Sequence, residues 1–156
     1  MTMKKKKLIL LSMFAVVATV ALYGFREYYR RNRDLAGIPP DLVIRDTTLL
    51  RWFTAGGAGN SYIGHIVQVD GMIRKIEKDE QAHIIVILGA STTPSAVRCS
   101  IDSVHIGEIG GWQTGHRVKI KGMLVGFNPD ETGLLGSDVE LNRCVPEQYT
   151  STTSNQ

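Results

Sequence analysis

Eighteen consecutive residues, Leu8 to Phe25 (LILLSMFAVVATVALYGF), carry no charge. Lys4 to Lys7 precede them, and Arg26, Arg30, Arg31 and Arg33 follow. As a helix rising ~1.5 Å per residue the run is about 27 Å long, close to the ~30 Å of a bilayer's hydrocarbon core. A helix satisfies its own backbone groups in that medium. Tyr23, Phe25, Tyr28 and Tyr29 gather at the far end, where amphipathic rings favour the headgroup layer. Residues 1–34 are therefore expected to be a membrane anchor, with a transmembrane helix at about 8–25 and membrane lipid as its partner. The competing reading is a cleaved signal peptide, for which the basic start and Thr19-Val20-Ala21 are suitable. The length of the apolar run, and the aromatic and basic collar directly after it, favour a retained anchor. Basic residues are equal in number on the two sides, so the positive-inside rule gives no orientation.

The same segment distorts the overall charge. Residues 1–34 hold eight basic residues against Glu27 and Asp34, whereas Leu35 to Gln156 hold ten basic against thirteen acidic, a net of −3. The pI near 9.0 thus belongs to the membrane-seeking head. It is no argument that the body binds nucleic acid.

The body is one domain in length. Residues 35–45, with Gly37, Pro39 and Pro40, read as a stiff linker. Residues 46–147 form the domain, and the polar, patternless 148–156 a frayed tail. Asp46 is placed to cap a helix running to Phe53, with Leu49, Leu50 and Phe53 on one face and Gly56, Gly57 and Gly59 ending it. From Ile63 the period becomes two. Val67, Val69, Gly71 and Ile73 share one face of a long first strand, with Gly71 at a bend or bulge. His83–Leu88 is a second strand, Val97–Ile101 a third, Val118–Leu124 a fourth, and Val139 to about Val145 a fifth. Between the third and fourth, residues 102–115 make a helical or irregular crossover capped by Asp102 or Ser103, with Trp112 as its core anchor. Cys99 and Cys144 form a disulfide, or remain two buried thiols in a reducing compartment. Cys144 falls on the opposite parity to Val139 and Leu141, so a bridge requires a bulge or a strand end there.

Five strands with a crossover between the third and fourth is the layout of an OB barrel. The expected class is mainly β: a five-stranded OB-fold barrel with a short preceding helix, a helical crossover and an N-terminal transmembrane helix. The stretches SYIGHIVQVDGMIRKIEKDE, VRCSID, GHRVKIKGMLVGF and LLGSDVELNRCV resemble the tRNA anticodon-binding-like OB proteins of Bacteroidetes envelopes. That resemblance implies an N-terminal hydrophobic segment, a short helix and a barrel in a bacterial envelope. It also implies nucleic-acid binding, by analogy with other OB domains. With the short N-terminal stub and the cysteine usage, it sets the expected location: single-pass in the inner membrane, body in the periplasm.

No catalytic constellation is present, and no enzyme activity, cofactor or metal is expected. Gly56-Gly57-Ala58-Gly59-Asn60-Ser61 fails as a phosphate loop, because Tyr62 replaces the third glycine of a dinucleotide fingerprint and His65 the Walker lysine. His65, His83, His105 and His116 lack metal-ligand spacing. Asp102, Ser103 and His105 read as a helix cap rather than a triad. Asp79-Glu80 and Asp130-Glu131 read as turn carboxylates. Single-strand binders pair a positive groove with aromatic platforms, yet HIIVIL and AVRCSI contain no Phe, Tyr or Trp. Arg74, Lys75, Lys119 and Lys121 are the candidate ligand face, interrupted by Glu77, Asp79 and Glu80. The sequence therefore points to a non-catalytic binding module, with an envelope protein or a saccharide as partner. The alternative is a single-stranded nucleic-acid binder.

Overall fold

The computed structural model describes the backbone of residues 3–31, 34–81, 83–130, 132 and 136–147, and in the first helix the side chains of residues 12–29. The chain divides into two units, residues 1–34 and residues 35–156. The first is one helix, α1 (Met3–Arg31), whose sequence contains no proline and a single glycine, Gly24. Met13, Phe14, Val16, Val17, Val20, Leu22 and Phe25 lie on all sides of α1, and each is at least 60 % exposed. A helix apolar all round requires a cover of protein or lipid. Among the described residues no helix is long and apolar enough to cross a membrane. The first residues of the expected span, 8–11, lie outside the described side chains.

The second unit begins with β1 (Leu42–Arg45) and α2 (Asp46–Thr54), and a 3-10 turn at Ala58–Tyr62 leads into β2 (Ile66–Lys78). Then come β3 (Ile84–Leu88), β4 (Ala96–Ile101), a 3-10 crossover at Ser103–Ile109, β5 (Arg117–Asn128) and β6 (Asp138–Glu147). Strands β2-β3-β4-β6-β5 are neighbours in that order, and β5 pairs back onto β2 to close a five-stranded barrel. Closure depends on the length of β2. Its first half, Ile66 to Met72, pairs with β5; from Ile73 onward it pairs with β3. The register shift between Ile73 and Lys75 turns the strand from one partner to the other. Inside lie Val67, Val69, Ile73, Leu88, Val97, Ile120, Leu124 and Leu141, joined by Leu49 and Phe53 of α2. The five strands fall where the apolar pattern placed them, and Asp102 caps the crossover by accepting the Val104 N–H.

Three expectations are corrected. Residues 35–45 are not a linker. Leu42 to Arg45 pair in parallel with Val67 to Asp70 as a sixth strand, and Asp41 exchanges hydrogen bonds with Ile66, N–H to O at 2.8 Å and Oδ2 from N–H at 2.9 Å. Arg45, not Asp46, occupies the cap position of α2. Asp46 is the first helical residue, its Oδ1 accepting the Thr47 N–H at 2.6 Å, where the helix dipole favours a negative charge. Gly71 is not the bend. A Cβ there would lie 2.8 Å from Asp46 Oδ2, so the glycine makes room for that buried carboxylate, and the bend falls beyond it at Ile73–Lys75.

Of the bulge or strand end expected at Cys144, the bulge is present. Between β4 and β6 the register runs from Cys99↔Leu141 to Ile101↔Cys144, one extra residue on β6, and Arg143 takes a left-handed φ of 54°. This turns Cys144 inward, fully buried, with Sγ 3.4 Å from the Leu141 carbonyl. A Cβ at Gly122 would lie 2.6 Å from that sulfur, so β5 needs a glycine here. Both cysteines are free thiols. Burial pushes the Cys144 thiol well above its ordinary range, and the hydrogen-bonded Cys99 and the charge of Asp102 add to the rise. Because the thiolate is the reactive form, the reduced native protein is expected to resist maleimide labelling at mildly alkaline pH. Both thiols should label once the barrel is unfolded in urea. Rapid labelling of the native state, read by mass spectrometry, would contradict the buried bulge.

Candidate functional site

OB barrels commonly bind their ligands on the face of the second and third barrel strands, here β3 and β4. Register sets Lys75, Ile87, Arg98 and Glu140 in one row across β2, β3, β4 and β6, and Glu77, Ile85 and Ser100 in the next. Arg98 reaches Glu77 Oε2 at 3.1 Å and Asp138 Oδ2 at 3.8 Å. Lys75 Nζ holds the other oxygen of Glu77 at 2.8 Å. The Lys75 hydrogen bond, with help from Arg98, keeps the Glu77 carboxyl below the usual carboxylate range despite partial burial. The two cations of this face are thus held by Glu77 and Asp138, Glu140 adds a further negative charge, and neither β3 nor β4 carries a ring.

The four candidate cations are placed as follows. Arg74 Nη1 donates to the carbonyls of Thr93 at 2.7 Å and Pro94 at 3.3 Å, tying down the β3–β4 loop. Lys75 pairs with Glu77 as described. Lys121 has the outward parity of its strand, yet its side chain is only 4 % exposed. It forms an ion pair with Glu147 and donates to the Ala36 carbonyl at 3.1 Å. Lys119 stands in register with Asp70 on β2 and Glu147 on β6. Arg74 and Lys75 lie on the half of β2 that pairs with β3, whereas Lys119 and Lys121 lie on β5 beside its other half. Three of the four histidines are also engaged: His65 lies 3.4 Å from Asp41, His83 2.9 Å from Asp79 and His105 2.6 Å from Glu108. Asp79 organises its turn by accepting the Gln81 and His83 N–H groups, and Asp130 does the same for Thr132 and Gly136. Glu131 lies outside the described residues.

Two surface features were not singled out from the sequence. A cavity of about 480 Å³ lies between the segment after the crossover and the ends of β5 and β6, lined by Glu108, Trp112, His116, Arg117, Pro146 and Glu147 among others. Trp112 packs against the core but is only partly buried; His105 and Ile109 are the buried residues of the crossover. On α2, Trp52 stacks on Tyr62 with ring centroids 5.6 Å apart, beside a shallow hollow of about 320 Å³ that Arg51 also lines. The left-handed Gly57 (φ 71°) and the 3-10 turn fold residues 58–62 back toward α2.

A closed five-stranded barrel with parallel β4–β6 pairing and a crossover between β4 and β5 is an OB fold, a class of binding domain. The chain belongs to the tRNA_anti-like family, whose model matches residues 1–137 and so takes in α1 as well as most of the barrel. Among solved structures it is similar to a lipoprotein of Klebsiella pneumoniae whose nucleic-acid-binding role is a provisional assignment. That pair shares 18 % identity with a TM-score of 0.51, covering 67 % of this chain and 91 % of the other. An asparaginyl-tRNA synthetase of Entamoeba histolytica matches at 16 % identity and TM-score 0.37, over 73 % of this chain but only 22 % of the synthetase. A replication factor A related protein of Methanobacterium thermoautotrophicum matches at 17 % identity and TM-score 0.35, over 54 % of this chain and 80 % of that one. The Klebsiella likeness bears on fold alone. Among the curated proteins none matches significantly.

Proposed function

We propose that this protein is a membrane-tethered, non-catalytic OB interaction module of a bacterial envelope, presenting its barrel on the periplasmic side to a protein or saccharide partner. The observation that carries this reading is the apolar surface of α1, exposed on every side. Taken with the uncharged run from Leu8 to Phe25, it supports lipid as the cover. Tethering confines the barrel to the membrane surface and raises its effective concentration toward neighbouring partners. The engaged cations and ring-free β3–β4 face argue against polyanions there. The test is in-cell crosslinking of the full chain followed by identification of what is captured. An envelope protein or glycan on the barrel supports the module, and nucleic acid as the captured species refutes it.

One observation favours a second reading, single-stranded nucleic-acid binding. The stacked Trp52–Tyr62 pair beside Arg51 offers rings and a cation away from the β3–β4 face. If that reading holds, Trp52→Ala with Tyr62→Ala should abolish RNA retention.

A further inference from the structure

We propose that the cavity between the crossover and the ends of β5 and β6 binds a neutral saccharide. The proposal rests on the binding-module reading and names a ligand class and a site for it. The lining combines the Trp112 ring and the Pro146 ring with polar groups from Glu108, His116, Arg117 and Glu147. Apolar ring surface beside a few fixed polar groups suits a pyranose, which has a C–H face and a rim of hydroxyls. The volume of about 480 Å³ falls within the ~300–1,000 Å³ of small-ligand sites, enough for a short sugar and too small for a folded partner.

The charges select for neutrality. Glu147 is paired with Lys121, Glu108 with His105 at 2.6 Å, and Arg117 with Asp70 at 2.8 Å. An anionic ligand must draw Arg117 from Asp70, and an ammonium at Glu147 must draw it from Lys121. A hydroxyl need not, because each carboxylate makes its contact through one oxygen and still accepts at the other. The site is also built on firm supports. Arg117, Pro146 and Glu147 stand on paired strands, and the buried Lys121 fixes Glu147.

The experiment uses the full chain in detergent, with Trp52→Phe so that Trp112 is the sole tryptophan, titrated with maltotriose, cellotriose and chitotriose. At least one sugar is expected to change Trp112 emission saturably, with little dependence on salt. His116→Ala in the same background is expected to weaken that response at least about tenfold, as loss of a central polar contact does, while the thermal unfolding midpoint stays unchanged. Three results overturn the inference: no saturable change with any of the three sugars at millimolar concentration, a response that His116→Ala and Arg117→Gln both leave intact, or preferential, salt-sensitive binding of heparin. Failure of the sugars while crosslinking still captures an envelope protein removes the saccharide site and leaves the module reading standing. Loss of both removes the module reading as well.

Discussion

Leu141→Ala is expected to destabilise the barrel by about 2–5 kcal/mol, a large share of the ~5–15 kcal/mol that holds a typical domain. Leu141 is fully buried. It lies on β6, which closes the barrel between parallel β4 and antiparallel β5, in register with Cys99 on one side and Leu124 on the other. Truncation leaves a cavity between two strands that cannot move together without breaking ladder hydrogen bonds. The adjacent bulge, with Cys144 against Gly122, leaves little slack for collapse. In urea the midpoint should fall while the slope stays constant. A loss well under about 1 kcal/mol would mean that the site relaxes freely or that β6 is not the closing strand.

Val16→Arg combined with Val20→Arg is expected to release the full chain from membranes. Each arginine near the middle of a spanning helix costs ~2.5–3.5 kcal/mol on insertion scales. Together they shift the partition by more than about a thousandfold. Both valines lie near the middle of the uncharged run and are at least 60 % exposed in α1. The unchanged chain should stay in the pellet through a carbonate wash, and the double variant should move to the supernatant with its barrel unfolding at the same urea concentration. Release of the unchanged chain by carbonate would refute the tether. Soluble mature protein beginning near Leu22 would establish cleavage in its place.

Periodicity made the barrel legible. Alternating apolar residues marked four of the barrel strands and a continuous apolar run marked β3, and the parity of Cys144 left a bulge or a strand end as its route inward, of which the chain uses the bulge at Arg143. What escaped depended on tertiary contact. β1 is four residues long and gains its identity only by pairing with Val67 to Asp70, far along the chain. Lys121 has the pattern of an outward lysine, yet the Ala36 carbonyl and Glu147 enclose it. Trp112 read as core because a lone tryptophan near glycines gives no hint that the ends of β5 and β6 leave a cavity beside it. Trp52 and Tyr62 are separated by a glycine-rich loop, and only its fold-back stacks them. Arg98 gave no signal of its own, since its two carboxylate partners come from β2 and β6.

A barrel whose β3–β4 face holds its cations in ion pairs and lacks rings is unsuited to polyanions. Residues 35–156 form a unit with their own core, so the tether can be removed for the decisive measurement. That measurement is retention of this fragment on single-stranded RNA across a salt series. No specific retention is expected even at low salt. Nanomolar capture that weakens steadily as salt rises would contradict it.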